Sequence, residues 1–301
     1  MSALRKIGWF TFVLWACSGS LGAADLRVMT WDVEDAYPSD KTEVIAGAVK
    51  KHKVDILALQ NVQISGTRFQ QEVQDQLDKL FGKGVYRNAV TASTRFDGNA
   101  IFWNTRTVQA SDENEDDSLK MTSKRLRPAQ VMHVRAGSLD FRVVNVNLYE
   151  GVDQDDDAKI RQATLLRNLL KKIGGRDESK ALILVGNLQM GFPDEKIFDE
   201  LTDDFDVNTN PAFRELNSDN FLKFCTRELA RKNPHAFSYI GDLLESSRLI
   251  DHVAANDAAW KYYVKGSAEV VRIDKEFFDS LDDYEWNFSD HLPVIAKFRT
   301  K

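Results

Sequence analysis

Short apolar runs recur from Leu26 to Phe298, and several of them stop abruptly on an Asp, Asn or His. Residues 181–185 are the clearest case, an uninterrupted apolar stretch of the kind that forms a strand covered on both faces. Further strands are expected at 26–31, 54–59, 85–90, 100–103, 129–134, 141–148, 249–254, 260–264 and 292–298. Helical spacing fills some of the gaps. Val44, Ile45, Ala48 and Val49 share one face of 41–51, a second stretch covers 67–81, and a third runs from about 157 to 172 before Gly174-Gly175. Strand clusters in both halves, with helices between some of them, predict two packed β-sheets flanked by helices in one domain, an α/β (α+β) arrangement. Two acidic stretches, 112–117 and 153–157, read as solvated loops rather than calcium sites.

The first 24 residues stand apart from this pattern. Arg5 and Lys6 precede an apolar run over 7–16, and Gly22-Ala23-Ala24 offers small residues for cleavage. That order is the pattern of a secretory signal peptide, and its apolar core is short for a membrane span. Two other readings stay open: an anchor helix that is kept, and a lipoprotein box, Leu14-Trp15-Ala16-Cys17, with Cys17 as the lipidated residue. The expected location is secreted or periplasmic, with no membrane span after cleavage and a domain over 25–301.

Hydrophobic residues make up 43% of the chain, enough for a full core, which excludes wholesale disorder. Losing 1–24 removes Arg5 and Lys6 and no acid, so the net charge moves from −6 to −8. That balance opposes sequence-independent binding to nucleic acid, and no strong nucleic-acid binding is expected. Cys225 is then the one cysteine left, which excludes an internal disulfide and a Cys-rich zinc site. A monomer is expected.

Polar residues follow several of the strands: Asp32, Asn61, Asn147, Asn187 with Gln189, Asp251, and Asp290-His291. Singly, each is a common turn or cap residue. In sequence context they carry a resemblance. LRVMTWDVED, VDILALQNVQ, GNAIFWNTRTV, LRPAQVMHV, FRVVNVNLYEG, ALILVGNLQM, RLIDHV and FSDHLPV occur in the order of the motifs of the endonuclease/exonuclease/phosphatase superfamily. The chain resembles that group from Leu26 to Phe298. The resemblance implies a DNase I-like four-layer sandwich.

It also implies a chemistry, phosphoester hydrolysis by in-line attack of water beside a divalent cation, usually Mg2+. Carried over by motif, the metal positions are Asp32, Asn61 and Asp290, and the catalytic positions are His291, Asp251, Asn187 and Asn147. Gln189 and Arg127, within the basic run Lys124-Arg125-Leu126-Arg127, fall at substrate-binding positions. The other reading of that run is a solvated strand edge. Asp251, Asp290 and His291 match the family. Asn61 stands for its metal-binding Glu, Asn187 for its water-activating Asp, Gln189 for an Asn, Asn147 for a His, and Asp32 for an Asn.

An amide cannot take a proton from water at physiological pH. The expected function is therefore that of a catalytically impaired or re-purposed protein of this fold, with Mg2+ binding weak or lost and a phosphoester or an unknown protein or ligand as its partner. The alternative is an active Mg2+-dependent phosphodiesterase, nuclease or phosphatase using Asp32, Asp251, Asp290 and His291. The exported form is predicted to begin near Asp25. Intact mass of the secreted protein checks this, and a lipid-modified N-terminal Cys17 would overturn it.

Overall fold

The computed structural model describes residues 25–33, 40–63, 69–92, 97–116, 128–148, 156–174, 180–189, 215–217, 219–233, 236–240 and 247–301. The leader 1–24 with Cys17, the basic run with Arg127, and most of the acidic stretch 153–157 lie outside the described residues.

Strands β1 (Leu26–Asp32), β2 (Ile56–Gln63), β3 (Tyr86–Ala92), β4 (Asp97–Asn104), β11 (Glu269–Val270) and β12 (Val294–Phe298) form one sheet, in the order β11-β12-β1-β2-β4-β3. Strands β5 (Gln109–Asp116), β6 (Ala129–Ala136), β7 (Leu139–Asn147), β8 (Ala181–Asn187), β9 (Lys223–Phe224) and β10 (Asp251–Ala255) form the other, in the order β5-β6-β7-β8-β10-β9. Each sheet contains one parallel pair, β1 with β2 and β7 with β8. A parallel pair needs a crossover, and helices α1 (Asp40–His52) and α3 (Asp156–Gly174) lie within these two connections. Helix α2 (Phe69–Phe81) lies between β2 and β3.

Three apolar layers explain why so many strands are apolar without alternation. Val28, Ile56 and Ile101 of the first sheet pack with Val143, Ile183 and Val185 of the second. The intervening residues Met29, Leu57 and Phe102 turn the other way, onto Ile45 and Val49 of α1 and Val73 and Leu77 of α2. On the far side Val144, Leu182 and Leu184 meet Leu166 and Leu170 of α3. Successive strand residues point to opposite faces, so a strand between two layers must be apolar at every position. Helix, sheet, sheet, helix is the four-layer order expected from the sequence.

Two expectations are corrected. Residues 260–264 do not form a strand: helix α5 (Asp257–Trp260) ends there, and only Tyr263 bridges to Phe298. Asn256 decides this, because its side chain accepts the Ala259 N–H at 3.2 Å as an N-cap and so starts a helix. Over 112–116 the backbone is not a loop but part of β5, which pairs with β6. Edge strands tolerate charged residues, since charge discourages pairing with a further strand. Helices α4 (Cys225–Lys232), α6 (Ile273–Phe277) and α7 (Leu281–Asn287) were not anticipated. None of the described helices is long and apolar enough to cross a membrane.

Gly186 holds β8 against β7 with φ of 135°, and a Cβ there would stand 1.9 Å from the Val146 carbonyl oxygen. Gly186→Ala is predicted to destabilise the protein by about 3 kcal/mol or more, because both the left-handed backbone and the contact with a neighbouring strand forbid a side chain. Chemical denaturation measures it. A loss within error of zero would contradict the described pairing.

Candidate active site

The topology gathers the polar strand ends at one edge. Strands β1, β2, β7 and β8 all run toward that edge and finish there, on Asp32, Asn61 and the residues after it, Asn147 and Asn187. Strand β10 runs the other way beside β8, so its first residue, Asp251, begins at the same edge. The same holds for β12, antiparallel to β1, which Asp290 and His291 precede. Asn147 pairs in register with Asn187, and Asn187 with Asp251. Residues in register on neighbouring strands share a face, so these three side chains point together toward the first sheet.

A carboxylate from β1 sits at the centre. Asp32 is fully buried and accepts from Asn61 Nδ2 at both oxygens, at 2.8 and 3.0 Å. Its Oδ2 also accepts from Asn187 Nδ2 at 2.9 Å, across the gap between the sheets. The orientation of Asn187 is set locally, because its Oδ1 accepts the backbone N–H of Gln189 at 2.9 Å, which leaves the amino group to face Asp32. Asn61 sits at an irregularity in the β2–β4 pairing with φ of 54°, a conformation asparagine tolerates better than most residues. Gln189 also has a positive φ of 52° and is half-buried at the turn after β8.

Below this centre runs a line of amides. Gln60 Nε2 donates to Thr30 Oγ1 at 3.0 Å and to Asn145 Oδ1 at 2.6 Å, and Asn145 Nδ2 donates to the Leu59 carbonyl at 3.1 Å. These bonds fix the end of β2 against β7. Their only trace in the sequence is two polar residues, Gln60 and Asn145, within apolar strands.

Beside the amides stands an imidazole–carboxylate pair. His291 Nδ1 and Asp251 Oδ2 are 2.7 Å apart and both residues are buried. His291 Nε2 lies 3.5 Å from Asp290 Oδ1. The main chain of His291 is anchored three times: its N–H donates to Ser289 Oγ at 3.0 Å, and its carbonyl accepts from Trp31 Nε1 at 3.1 Å and from the Tyr284 hydroxyl. Ser289 Oγ in turn donates to the Asp32 carbonyl at 2.9 Å. Ser238 Oγ accepts the N–H groups of Ile250 and Asp251 at 3.1 and 3.0 Å, which positions the start of β10. The half-buried Tyr239 ring lies 5.2 Å from the imidazole. Sequence reasoning missed Ser238, Tyr239, Tyr284 and Ser289. Only Ser289 carried a local signal, as a hydroxyl two residues before a functional position. Ser238 and Tyr284 act on residues 13 and 7 positions away, at Asp251 and His291, with no motif to mark either one.

The charge state of His291 follows from these neighbours. Burial opposes its charged form, but the carboxylates of Asp251, Asp32 and Asp290, with the hydrogen bond that the imidazole donates to Asp251, outweigh it and push the imidazole up from 6.5 to about 10. The group is an imidazolium at neutral pH, a positive charge among three carboxylates.

The DNase I-like resemblance implies a divalent cation beside Asp32, and the donors test whether one fits. Mg2+ takes oxygen ligands. Here Asp32 meets two amide N–H groups, and Asn187 cannot turn its oxygen inward without losing the Gln189 bond. Among the described residues no group of three or more His, Cys, Asp or Glu is arranged to hold a metal ion. The residues at 32, 61 and 187 do not fit the ion.

No family model and no curated protein matches the chain. Solved structures do. An endonuclease/exonuclease/phosphatase family protein from Bacteroides thetaiotaomicron is 16% identical, with a TM-score of 0.61 over 93% of this chain and 96% of its own. A mannosyl-6-phosphatase from the same organism is 16% identical, with a TM-score of 0.60 over 90% and 98%. An AP endonuclease from Archaeoglobus fulgidus is 14% identical, with a TM-score of 0.63 over 91% and 99%. The chain has the DNase I-like fold of the endonuclease/exonuclease/phosphatase proteins.

A pH dependence of stability follows from His291. Its proton is held more firmly in the folded chain than in the unfolded one, so its stabilising contribution is complete below 6.5 and is lost as pH rises through about 10. The melting temperature is expected to fall between neutral pH and about 10. His291→Gln should lower the starting value and flatten that fall. Calorimetry across the range checks both, and an unchanged slope in the variant would show that other groups set it.

Proposed function

We propose that this is an exported protein that uses the DNase I-like scaffold for binding and has given up metal-dependent phosphoester hydrolysis. The observation that carries this reading is the acceptance of amide N–H groups by both oxygens of Asp32. In the superfamily motifs Asn61 and Asn187 occupy the places of the metal-binding Glu and the water-activating Asp. Here those two positions serve as donors to a carboxylate, so cation ligand and general base are both replaced. His291 keeps its Asp251 partner, but as an imidazolium it has no free electron pair with which to accept a proton. The leader pattern of residues 1–24 supports export.

The direct test is the purified mature chain against phosphomonoesters, phosphodiesters and DNA, with and without magnesium or manganese, alongside thermal melting in the same ions. Neither metal-dependent turnover nor metal-dependent stabilisation is expected, since an ion that binds the native state alone would raise the melting temperature. Robust turnover by the unmodified chain would overturn the reading.

Restoring the superfamily groups gives the converse test. Asn61→Glu, Asn187→Asp and Asn147→His supply ligand, base and phosphate contact, and the geometry adds a fourth change, Asp32→Asn. Without it a carboxylate at 187 would replace a donor that now stands 2.9 Å from Asp32 Oδ2. The fourfold variant is predicted to gain magnesium-dependent phosphodiesterase activity of at least ~10²-fold over the parent, the scale of one well-placed general base. Asn187→Asp alone should lose about 1–3 kcal/mol of stability at neutral pH, and less in acid, where one member of the carboxylate pair is protonated. A folded fourfold variant without activity would mean that the cleft differs beyond these positions.

A further inference from the structure

Two large apolar side chains are exposed among the described residues, Phe277 at 39% and Trp286 at 87%, and both lie on the helix pair α6 and α7 between β11 and β12. Phe277 is partly covered, with Gly47 of α1 beside its ring and Lys51 Nζ 5.8 Å from its centroid. Trp286 has no such cover: among the described residues it makes no hydrogen bond, ring contact or cation contact. The helix that carries it is held firmly. Phe288 stacks on Trp31, Tyr284 meets Phe278 edge-on, the Tyr284 hydroxyl reaches the His291 carbonyl, and Ser280 Oγ accepts the Asp283 N–H at 3.0 Å as an N-cap. A single apolar residue at a surface is ordinary. A tryptophan almost wholly in water on a fixed helix is instead a ready anchor, because an indole buries a large area on docking and its support is ordered beforehand.

The charge around Trp286 selects the occupant. Residues 273–287 carry six acids, Asp274, Glu276, Asp279, Asp282, Asp283 and Glu285, against Lys275 alone. Asp274 is paired with Arg272 at 2.6 Å, and Glu276 with Lys51 and His52 at 3.3 and 3.0 Å. Asp279, Asp282 and Asp283 have no ion pair among the described residues, and Asp283 accepts uncharged N–H groups from Asp279 and Asn287. Asp282 and Asp283 stand four and three residues before Trp286, the spacing that shares one helix face. Carboxylates in a first turn favour the start of a helix, but that accounts neither for Asp279 before α7 nor for the indole. We propose that this face docks an arginine-bearing segment of a partner protein, with a guanidinium lying on the indole of Trp286 and its N–H groups turned to the carboxylates of Asp282 and Asp283. Arginine suits both halves of the face, since its planar group stacks on an aromatic ring while its edge donates to carboxylates. An anionic membrane or a nucleic acid would bring negative charge onto the same acids. A second copy across a two-fold axis would set the acidic face against itself. This surface belongs to the helix layer outside the first sheet, so the proposal holds whether or not the strand-end cluster is catalytic.

The experiment titrates the mature chain by calorimetry with an end-blocked Gly-Arg-Gly-Arg-Gly-Arg peptide, and with the same peptide carrying lysine or glutamate in place of arginine. Saturable binding of the arginine peptide is expected, weaker binding of the lysine peptide, and none of the glutamate peptide. Trp286→Ala should weaken the arginine peptide by ~3-fold or more, and Trp286→Ala with Asp282→Asn by about 10-fold, the scale of one exposed cation–aromatic contact and one surface ion pair. Trp286→Tyr should retain part of the affinity. Both positions are exposed, so the melting temperature of these variants should match the parent. Asp25→Asn removes the same charge at the opposite, exposed end of β1 and should leave binding within about 2-fold of the parent. The proposal is overturned if the arginine peptide does not bind, if the Trp286 and Asp282 variants bind it as the parent does, or if Asp25→Asn weakens it as much as they do. It is also overturned if phosphatidylglycerol vesicles or single-stranded DNA bind through Trp286 instead, or if sedimentation shows a dimer of the parent that Trp286→Ala dissolves, which would make a second copy the occupant.

Discussion

A buried carboxylate must be answered by donors or by positive charge, and the centre of this protein is arranged around that demand. Asp32 lies at the end of β1 with no exposure to solvent, and it receives N–H groups from its own sheet through Asn61 and from the opposite sheet through Asn187. Hydrogen bonds to a charged group contribute about 1.5–3 kcal/mol each, and removing the partner of a buried charge costs about 3–5 kcal/mol. The amides are therefore more than neutral substitutes for acids: with Asp32 in place, a second carboxylate at 61 or 187 would face it at hydrogen-bond distance. One exchange of acid and amide along the chain makes the others necessary.

Asp32 also ties the site to the fold. Its backbone carbonyl accepts from Ser289 Oγ, the same hydroxyl that receives the His291 N–H. The next residue back, Trp31, donates to the His291 carbonyl and stacks on Phe288 with ring centroids 4.9 Å apart. The end of β1 thus sets the height of the imidazole, while Asp251 sets its orientation. Gln60 and Asn145 hold the two sheets in line beneath them. Movement of either sheet along the other would break the Asn187–Asp32 contact and the amide line together.

The charge on His291 takes the place of a cation in this balance. Three carboxylates act on the imidazole and hold its proton to high pH, so the positive charge at the centre belongs to the chain itself. An internal cation fixed by Asp251 stabilises the fold, but it cannot supply the exchangeable ligand positions or the activated water that a metal ion gives. The same four groups thus form an ordered cluster at the sheet edge whose positive charge comes from the chain itself.

The layer order and nearly all of the long strands were legible in the sequence, because a strand between two apolar layers has to be apolar at every position and 181–185 can hardly be anything else. Strand ends were legible too, since Asp32, Asn61, Asn147 and Asn187 interrupt apolar runs, and their order carried the likeness to the superfamily. Local chemistry defeated the reading at 260–264, where one asparagine cap outweighed a run of aromatic and β-branched residues. At β5 the run of acids masked a strand whose backbone pairing does not depend on hydrophobicity. What the sequence could not decide is which of the polar strand ends touch. That Asn187 reaches Asp32 depends on strands from opposite sheets ending at one height, whereas Asn61 meets Asp32 within one sheet and Tyr284 meets the His291 carbonyl through a helix packed beside it. Residue types determine what each group can donate or accept, but pairing is set by register and sheet packing, which bring together residues more than a hundred positions apart in the chain.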